Sequence, residues 1–333
     1  MKAKFFRALV AEQSENETFK RSIKELPIAG LPPGELLIRV EYSSLNYKDA
    51  LSATGNKGVT KNYPHVPGID AAGVIEESSS NQFQKGDQVI VTSYDLGMNT
   101  SGGFGSYIRV PSAWALKLPA GLTLKESMII GTAGFTAGMA VFHILKNISP
   151  EKGEVLVTGA SGGLGTIAVA ILSRLGYSVA AGTGKTEADQ FLKMLGARTI
   201  ISREELLTDK NRPLLKPRWS AVIDTVGGDI LANAVKSAQP LGIVTSCGNA
   251  LSASLNLTVF PFILRGISLI GIDSQNCPMD HRRHIWQMLA TDWKISFPEA
   301  LYKIVDLETL DEKIDLILKG KLTGRVVVKH QNN

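Results

Sequence analysis

The chain has 333 residues, 44% hydrophobic and 20% charged, with a formal net charge of +5. That length admits two domains with full cores, and the composition is that of an ordinary folded protein, which excludes disordered and fibrous classes. The basic excess is scattered, with no lysine and arginine run dense enough for a nucleic-acid groove, and it favours a small anionic ligand.

Two cysteines, Cys247 and Cys277, lie far apart. Neither a disulfide framework nor a four-cysteine zinc knot can be built from them, so a reducing cytoplasm is expected. The N-terminal Met1-Lys2-Ala3-Lys4-Phe5-Phe6-Arg7 has only a brief apolar run before Glu12, and no signal peptide is expected there. Residues 1 to about 124 read as mostly β: Phe5–Val10, Glu35–Tyr42, Gly73–Glu76, Gln88–Thr92 and Tyr107–Val110 are short β-branched runs. Pro32-Pro33-Gly34, Pro67-Gly68 and Lys85-Gly86-Asp87 supply the turns between them. Pro119 to Thr123 marks a composition shift and a first domain boundary, so residues 1–124 form one domain segment. Met128–Leu145 is long and apolar, but Gly131, Thr132, Gly134, Thr136, Gly138 and His143 within it indicate a buried packing segment instead of a membrane span.

From about 125 the pattern alternates. Strands are expected at Val155–Thr158, Ser178–Ala181, Thr199–Ile201, Ser220–Asp224, Leu241–Ser246 and Ile267–Asp273, with helices such as Lys185–Leu195 and Asp229–Ala238 between them. Six strands with intervening helices read as one doubly wound parallel sheet over residues 125–274, giving an α/β fold class. Beyond Ser274, helices at Asp280–Leu289 and Leu310–Leu318 and a last strand at Arg325–Val328 have the mixed character of the first domain. Residues 275–333 are therefore expected to return to it.

The most informative stretch is Glu154 to Gly165, a β-branched run meeting glycines at 159, 162 and 165, followed by small and apolar residues without proline. This reads strand, tight turn, helix, and a second strand follows about 20 residues on, as a dinucleotide-binding unit requires. The helix N-terminus would face a diphosphate with its free N–H groups and positive dipole end. Enzymes of this type that use NAD end the second strand with an acid that holds the ribose hydroxyls. Here that stretch is Ala181-Gly182-Thr183-Gly184-Lys185. Thr183 can donate a hydrogen bond, Lys185 can neutralise a 2′-phosphate, and Arg203 after the third strand is a second candidate cation, so NADP is the expected cofactor.

Ser43–Ala50, Pro67–Val74 with Gly86–Val89, and the glycine turn together resemble the medium-chain dehydrogenase/reductase superfamily over essentially the whole chain. Within it, Ser44–Asp49, Ile130–Ala137 and Pro261–Arg265 resemble the acrylyl-CoA reductase group, whose members are often named quinone oxidoreductases. The resemblance implies a GroES-like, mainly β catalytic domain, a six-stranded Rossmann domain, a cleft between them for NADPH and substrate, and a homodimer joined edge to edge through the last Rossmann strands. It also implies that Ser161, Gly162, Gly163 and Leu164 line the cofactor phosphates, with Thr183, Gly184, Lys185 and Arg203 near the 2′-phosphate. Tyr47, Asn249, Ile263 and Ser274 would line the nicotinamide side. Lys185 stands where relatives often carry Arg, which keeps the charge but gives up a planar guanidinium.

Zinc-dependent alcohol dehydrogenases of the superfamily carry a cysteine in the segment that here holds Asn46 and Gly-His-Glu where this chain has Gly68-Ile69-Asp70. Both ligand types are missing, and His65, His143, His281, His284 and His330 form no substitute cluster, so no metal centre is expected. Without a metal, hydride must go to an electron-poor carbon, such as the β-carbon of an α,β-unsaturated thioester. The enolate that forms needs donors aimed at its oxygen and a proton at its α-carbon. Tyr47 and Asn46 are the catalytic candidates: the phenol as hydrogen-bond donor or proton relay, the amide as an orienter of the carbonyl or as a helix cap. Asp70 is expected to be structural. Arg265, Arg282 and Arg283 are possible partners for CoA phosphates, with solvent exposure as their default. The functional expectation is NADPH-dependent reduction of a short enoyl-CoA, acryloyl-CoA first, with a quinone or enone acceptor as the alternative and a non-catalytic NADPH-binding protein as a third. No membrane or nucleic-acid partner is expected.

Overall fold

The computed structural model describes residues 4–208 and 211–331; Met1 to Ala3, part of the stretch read as lacking a signal peptide, lie outside them. In chain order the strands are β1 (Phe5–Gln13), β2 (Phe19–Pro27), β3 (Leu36–Ser44), β4 (Asp70–Ser78), β5 (Gln88–Thr92), β6 (Tyr107–Val110), β7 (Ala115–Lys117), β8 (Val155–Thr158), β9 (Val179–Thr183), β10 (Thr199–Ser202), β11 (Trp219–Asp224), β12 (Ala238–Ser246), β13 (Ser268–Gly271), β14 (Tyr302–Val305) and β15 (Arg325–Lys329). The helices are α1 (Tyr47–Ala53), α2 (Leu124–Leu145), α3 (Gly163–Arg174), α4 (Asp189–Met194), α5 (Arg203–Leu206), α6 (Gly228–Lys236), α7 (Phe260–Arg265), α8 (Met279–Ala290) and α9 (Leu307–Leu318). They divide into two compact units, residues 1–132 with 275–290 and 297–333, and residues 133–274 with 291–296.

In the first unit β3 is the hub, pairing antiparallel with β4, β6 and β15, and the sheet runs β14-β15-β3-β4-β5-β7. Alternation sends Leu36, Ile38 and Val40 of β3 into a core with Ala71, Ile75, Val89, Val91, Ile108 and Val110. A second core joins Val326 and Val328 of β15 to Leu45, Ala50, Phe104 and the α9 residues Leu310 and Ile314. Because Asp70 pairs with Thr92, Ser43 with Ala71 and Ser44 with Val327, the end of β3, the start of β4, the end of β5 and the start of β15 meet at one edge of the sheet.

The second unit is a six-stranded sheet in the order β10-β9-β8-β11-β12-β13, parallel throughout. The chain moves outward from β8 through β9 to β10, then resumes on the other side at β11. The carboxyl ends of β8 and β11 therefore flank the topological switch point, where open α/β sheets bind ligands.

The structure departs from or adds to the sequence reading at three places. Phe19–Pro27, to which no element was assigned, forms β2, an antiparallel partner of β1. The single helix expected at Lys185–Leu195 is a short 3-10 turn, Thr186–Ala188, followed by α4. The apolar run at 128–145 is helical and its window is 72% buried, as a packing segment requires, but Gly131 breaks it with φ 52° and ψ −162°. A Cβ at Gly131 would stand 2.5 Å from both Asp70 Oδ2 and Ser44 Oγ. Gly131→Ala combines that clash with a left-handed backbone and is expected to cost at least about 2 kcal/mol. Urea denaturation will show this as a lower midpoint.

Candidate functional site

In the first unit the converging strand ends carry polar side chains that are almost wholly buried. Asp70 is 0% exposed and accepts four hydrogen bonds: from Ser44 Oγ (2.6 Å), Asn46 Nδ2 (2.7 Å), the Thr132 N–H (2.9 Å) and Thr132 Oγ1 (2.6 Å). The break at Gly131 is what lets the α2 backbone come close enough for the two Thr132 bonds. Arg325, 2% exposed, lies with Nη2 4.0 Å from Asp70 Oδ2 and donates to Ile129 O, Leu45 O, Asn46 Oδ1 and Ser44 Oγ.

Asn46 precedes the first residue of α1, and its N–H donates to Asp49 Oδ2 at 2.7 Å, as in a capping box. Asp49 Oδ1 takes the Ile69 N–H at 2.7 Å. Burial, and then the negative charge of Asp70, push the Asp49 carboxyl up to about 7. Burial also lowers the Arg325 guanidinium from its ordinary value, against the pull of Asp70 and Asp49. Two carboxyl groups thus share one buried guanidinium, and a proton on Asp49 balances the charge. The sequence reading left open whether Asn46 orients a substrate or caps the helix. Both ends of its amide are directed into this network, at Asp70 and Arg325. Tyr47 is 40% exposed at the first position of α1.

The network continues to the end of β5. Ser93 Oγ lies 3.0 Å from Thr132 Oγ1, and Ser93 and Tyr94 both have positive φ, 66° and 52°. Such backbone is costly for non-glycine residues and has to be held by its surroundings. Arg282 of α8 holds it: Nη1 donates to Thr92 O and Oγ1, and the guanidinium covers the Tyr94 ring at 4.5 Å, while Tyr94 stacks on Trp114. Arg282, read as solvent-exposed, is in fact 1% exposed. Arg265 likewise is occupied, donating to Lys236 O, Ala238 O and Leu215 O, and Arg283 pairs with Asp280. Asp49, Arg325, Thr132 and Ser93 escaped the sequence reading. A lone arginine opening a buried valine strand is the signal that could have exposed Arg325, because such a charge needs a partner. Among the described residues, no group of three or more His, Cys, Asp and Glu side chains could hold a metal ion.

The second unit builds a different site at the switch point. Gly165 packs α3 onto the turn after β8; a Cβ there would sit 2.4 Å from Gly159 O. Gly162 occupies the N-cap position of α3 without a capping side chain, which leaves the first-turn N–H groups to an anion. Thr158 Oγ1 donates to Asp224 Oδ1 at 2.6 Å and the Gly227 N–H to Asp224 Oδ2 at 2.7 Å, tying β8 to the loop after β11. Ser161 Oγ lies 3.0 Å from Thr183 Oγ1, which also accepts the Lys185 N–H at 3.1 Å. The Arg203 guanidinium lies over Gly184, with Nε only 3.0 Å from where a Cβ would be. Ser161, Thr183, Gly184, Lys185 and Arg203 are therefore brought together. Burial lowers the Lys185 amine from its ordinary value. Asn249, just past β12, is exposed, Ile263 is 68% exposed on α7, and Ser274, just past β13, is half-buried. A glycine turn, a helix N-terminus and two cations without an acid at the end of β9 suit a diphosphate joined to a phosphorylated ribose.

Comparison with known proteins places this architecture. Residues 32–120 match the alcohol dehydrogenase GroES-like domain and residues 163–291 the family model described as zinc-binding dehydrogenase. The chain belongs to the medium-chain dehydrogenase/reductase superfamily. Within it, the chain is 44% identical to the quinone oxidoreductase-like YhfP of Bacillus subtilis over 97% of its own length and 98% of the relative's. The solved structure of that relative, with NAD bound, superposes with a TM-score of 0.95 at 42% identity, covering 98% of this chain and all of the other. Acrylyl-CoA reductase AcuI of Ruegeria pomeroyi is 41% identical over 97% of this chain and 98% of its own. The yhdH oxidoreductase of Salmonella enterica, solved with NADP, superposes with a TM-score of 0.93 at 40% identity over 98% and 100% of the two chains.

The Asp49 carboxyl gives a test of the buried network. Its folded value lies above its unfolded one, so between about pH 4 and pH 7 the native state holds a proton that the unfolded state releases. Stability from this group therefore falls as pH rises through that window. Asp49→Asn removes the titration, so the variant's stability relative to wild type should improve by on the order of 2–3 kcal/mol from about pH 5 to about pH 8. Urea midpoints at the two values measure it; an unchanged difference would show that Asp49 does not titrate there.

Proposed function

We propose that the chain is an NADPH-dependent oxidoreductase that reduces an activated carbon–carbon double bond without metal, with a short enoyl-CoA, acryloyl-CoA first, as substrate. The observation that carries the cofactor half is the cluster of Ser161, Thr183, Lys185 and Arg203 beside the α3 N-terminus, with no acid in Ala181–Lys185. Relatives solved with NADP and named acrylyl-CoA reductase support the reading.

When bound, NADPH supplies the hydride. The protein's own residues do the rest. Gly162, Gly163 and Leu164 offer backbone N–H groups to the diphosphate, Lys185 and Arg203 balance the 2′-phosphate, and Asn249, Ile263 and Ser274 are assigned to the nicotinamide side. Tyr47, exposed at the start of α1, presents a hydroxyl that can donate to the thioester oxygen as enolate charge develops there, or pass a proton to the α-carbon. Asn46 works from inside, its amide bonded to both Asp70 and Arg325. The name of the Bacillus subtilis relative favours a second reading, with a quinone as acceptor at the same site. Cys247 and Cys277, which form no disulfide, fit a cytoplasmic setting. Edge strand β13 and exposed Val259, Phe260, Ile263 and Leu264 of and beside α7 fit a homodimer, in which a second copy would cover them.

Absorbance at 340 nm tests the reaction. Acryloyl-CoA should drive rapid NADPH oxidation and a small quinone should not; the reverse result would establish the second reading, and tight NADPH binding with neither acceptor consumed would mean a non-catalytic protein. Lys185→Ala and Arg203→Ala should each weaken NADPH binding about tenfold or more while leaving NADH binding near its original value. Equal losses for both nucleotides would remove the basis for NADPH preference.

A further inference from the structure

The carboxyl ends of β8, β11 and β12 lie side by side at the switch point, and of their last residues, Thr158, Asp224 and Ser246, only Asp224 is ionisable. Asp224 and Thr158 are both 0% exposed, so neither touches a ligand. Their hydrogen bonds run in fixed directions. A carboxylate only accepts, so the Thr158 hydroxyl gives its one hydrogen to Asp224 Oδ1 and then takes the Thr225 N–H at 3.1 Å on its own oxygen. Asp224 Oδ2 takes the Gly227 N–H, and the Val226 N–H is turned to the same carboxyl. Thr225 Oγ1 closes the circuit by donating to Thr158 O at 2.9 Å.

This circuit holds two loops against each other. Gly159, next after Thr158, has φ 59°, and a Cβ there would stand 2.3 Å from Thr225 Oγ1. The turn that leads to the α3 N-terminus is thus fitted directly onto the loop after β11. That loop is in turn tied to the one after β12, where the Cys247 N–H donates to Asp224 O and the Leu251 N–H to Val226 O, both at 2.8 Å. Among the described residues no cation pairs with Asp224, and burial raises its carboxyl from the ordinary value while its three donors pull it down. The titratable group recorded against it is the Cys247 thiol, which burial pushes up to about 12 and which stays neutral.

We propose that Asp224 is a positioning residue for the nucleotide: its carboxylate locks the turn after β8 to the loop after β11 in the arrangement that leaves the α3 N-terminus open to the diphosphate. This rests on the reading of that turn as the diphosphate site. The lock works only in the charged form. A proton on either oxygen faces a donor, so the Thr158 hydrogen or the Gly227 N–H loses its acceptor, and a buried donor without an acceptor shifts its segment until it finds one. Because the carboxyl is raised, that loss begins at a higher pH than for an ordinary carboxylate. Nucleotide affinity is therefore full above the raised value and falls as pH drops through it.

The test uses the full-length protein and NADP, titrated by calorimetry without any acceptor. Asp224→Asn keeps the shape but turns an amide donor towards Thr158 or Gly227, and should raise the NADP Kd about tenfold at about pH 8. The ratio of variant to wild-type Kd should shrink towards one at about pH 5, where the wild-type carboxyl takes up its proton. The 2′-phosphate of NADP titrates alike in both proteins and cancels in the ratio. Thr158→Val removes the hydroxyl and should also raise the Kd about tenfold, whereas Thr158→Ser keeps it and should bind as wild type does. Thermal unfolding establishes that each variant is folded; if Asp224→Asn is not, the two Thr158 variants decide alone.

A ratio near one at both pH values, or one that stays raised and constant between them, overturns the proposal, the second because it would mean a purely structural acid. So does Thr158→Ser binding as weakly as Thr158→Val, or Thr158→Val binding as wild type does. A wild-type protein that does not bind NADP fails at the earlier step, and that result belongs to the reading of the nucleotide site.

Discussion

A carboxylate sealed from water has to be given hydrogen atoms, and Asp70 receives them from three separate segments: the end of β3, the cap of α1 and the break in α2. Much of the first unit follows from that requirement. Position 131 has to be glycine-like in both conformation and size, since any side chain would occupy the space the carboxylate and Ser44 already fill. Arg325 has to be charged and close, because an acid buried without a cation is far costlier than one with it. Arg325 in turn donates to the carbonyls of Ile129 and Leu45 as well as to Asn46 Oδ1 and Ser44 Oγ, so the start of β15 is tied to the same point as β3 and α2. Such a cluster contributes less as net stability than as uniqueness. A slip of any one strand would strand a charge.

Asp49 shows the limit of that arrangement. One guanidinium cannot balance two acids, and the hydrogen bonds from Asn46 and Ile69 do not outweigh burial and the charge of Asp70. The site is therefore neutral when Asp49 holds a proton and carries an extra negative charge when it does not. Tyr47 opens the helix that Asp49 helps to cap, so the exposed phenol and the buried, titrating carboxyl belong to one short element.

The second unit was largely legible in the sequence because its information is local. The strand at 155–158, the glycines at 159, 162 and 165, and the acid-free end of β9 lie within about thirty residues, and the structure brings Ser161, Thr183, Lys185 and Arg203 together as that spacing implies. Strands at 88–92 and 107–110 were equally plain, being short apolar runs between turns. β2 was hidden because it pairs with β1 at the side of the main sheet and has no fully buried position, with Arg21 and Lys24 among its half-buried ones. The polar cluster of the first unit was hidden for another reason. Arg325 and Ser44 are 281 positions apart, and only the sheet order makes them neighbours. Asp70 was expected to bond to backbone, whereas three of its four donors are the side chains of Ser44, Asn46 and Thr132. Arg282 was misread because an arginine on an amphipathic helix is ordinarily solvated, and nothing near it in sequence announces the strained turn that it clamps.

This division bears on how relatives with such similar folds come by different names. Holding a phosphorylated dinucleotide depends on a turn, a helix end and two cations, and none of those reports what accepts the electrons. The first unit, where Asn46, Asp70, Thr132 and Arg325 meet in one buried cluster, is built independently of that turn. A match of fold and of the nucleotide turn therefore leaves the acceptor open.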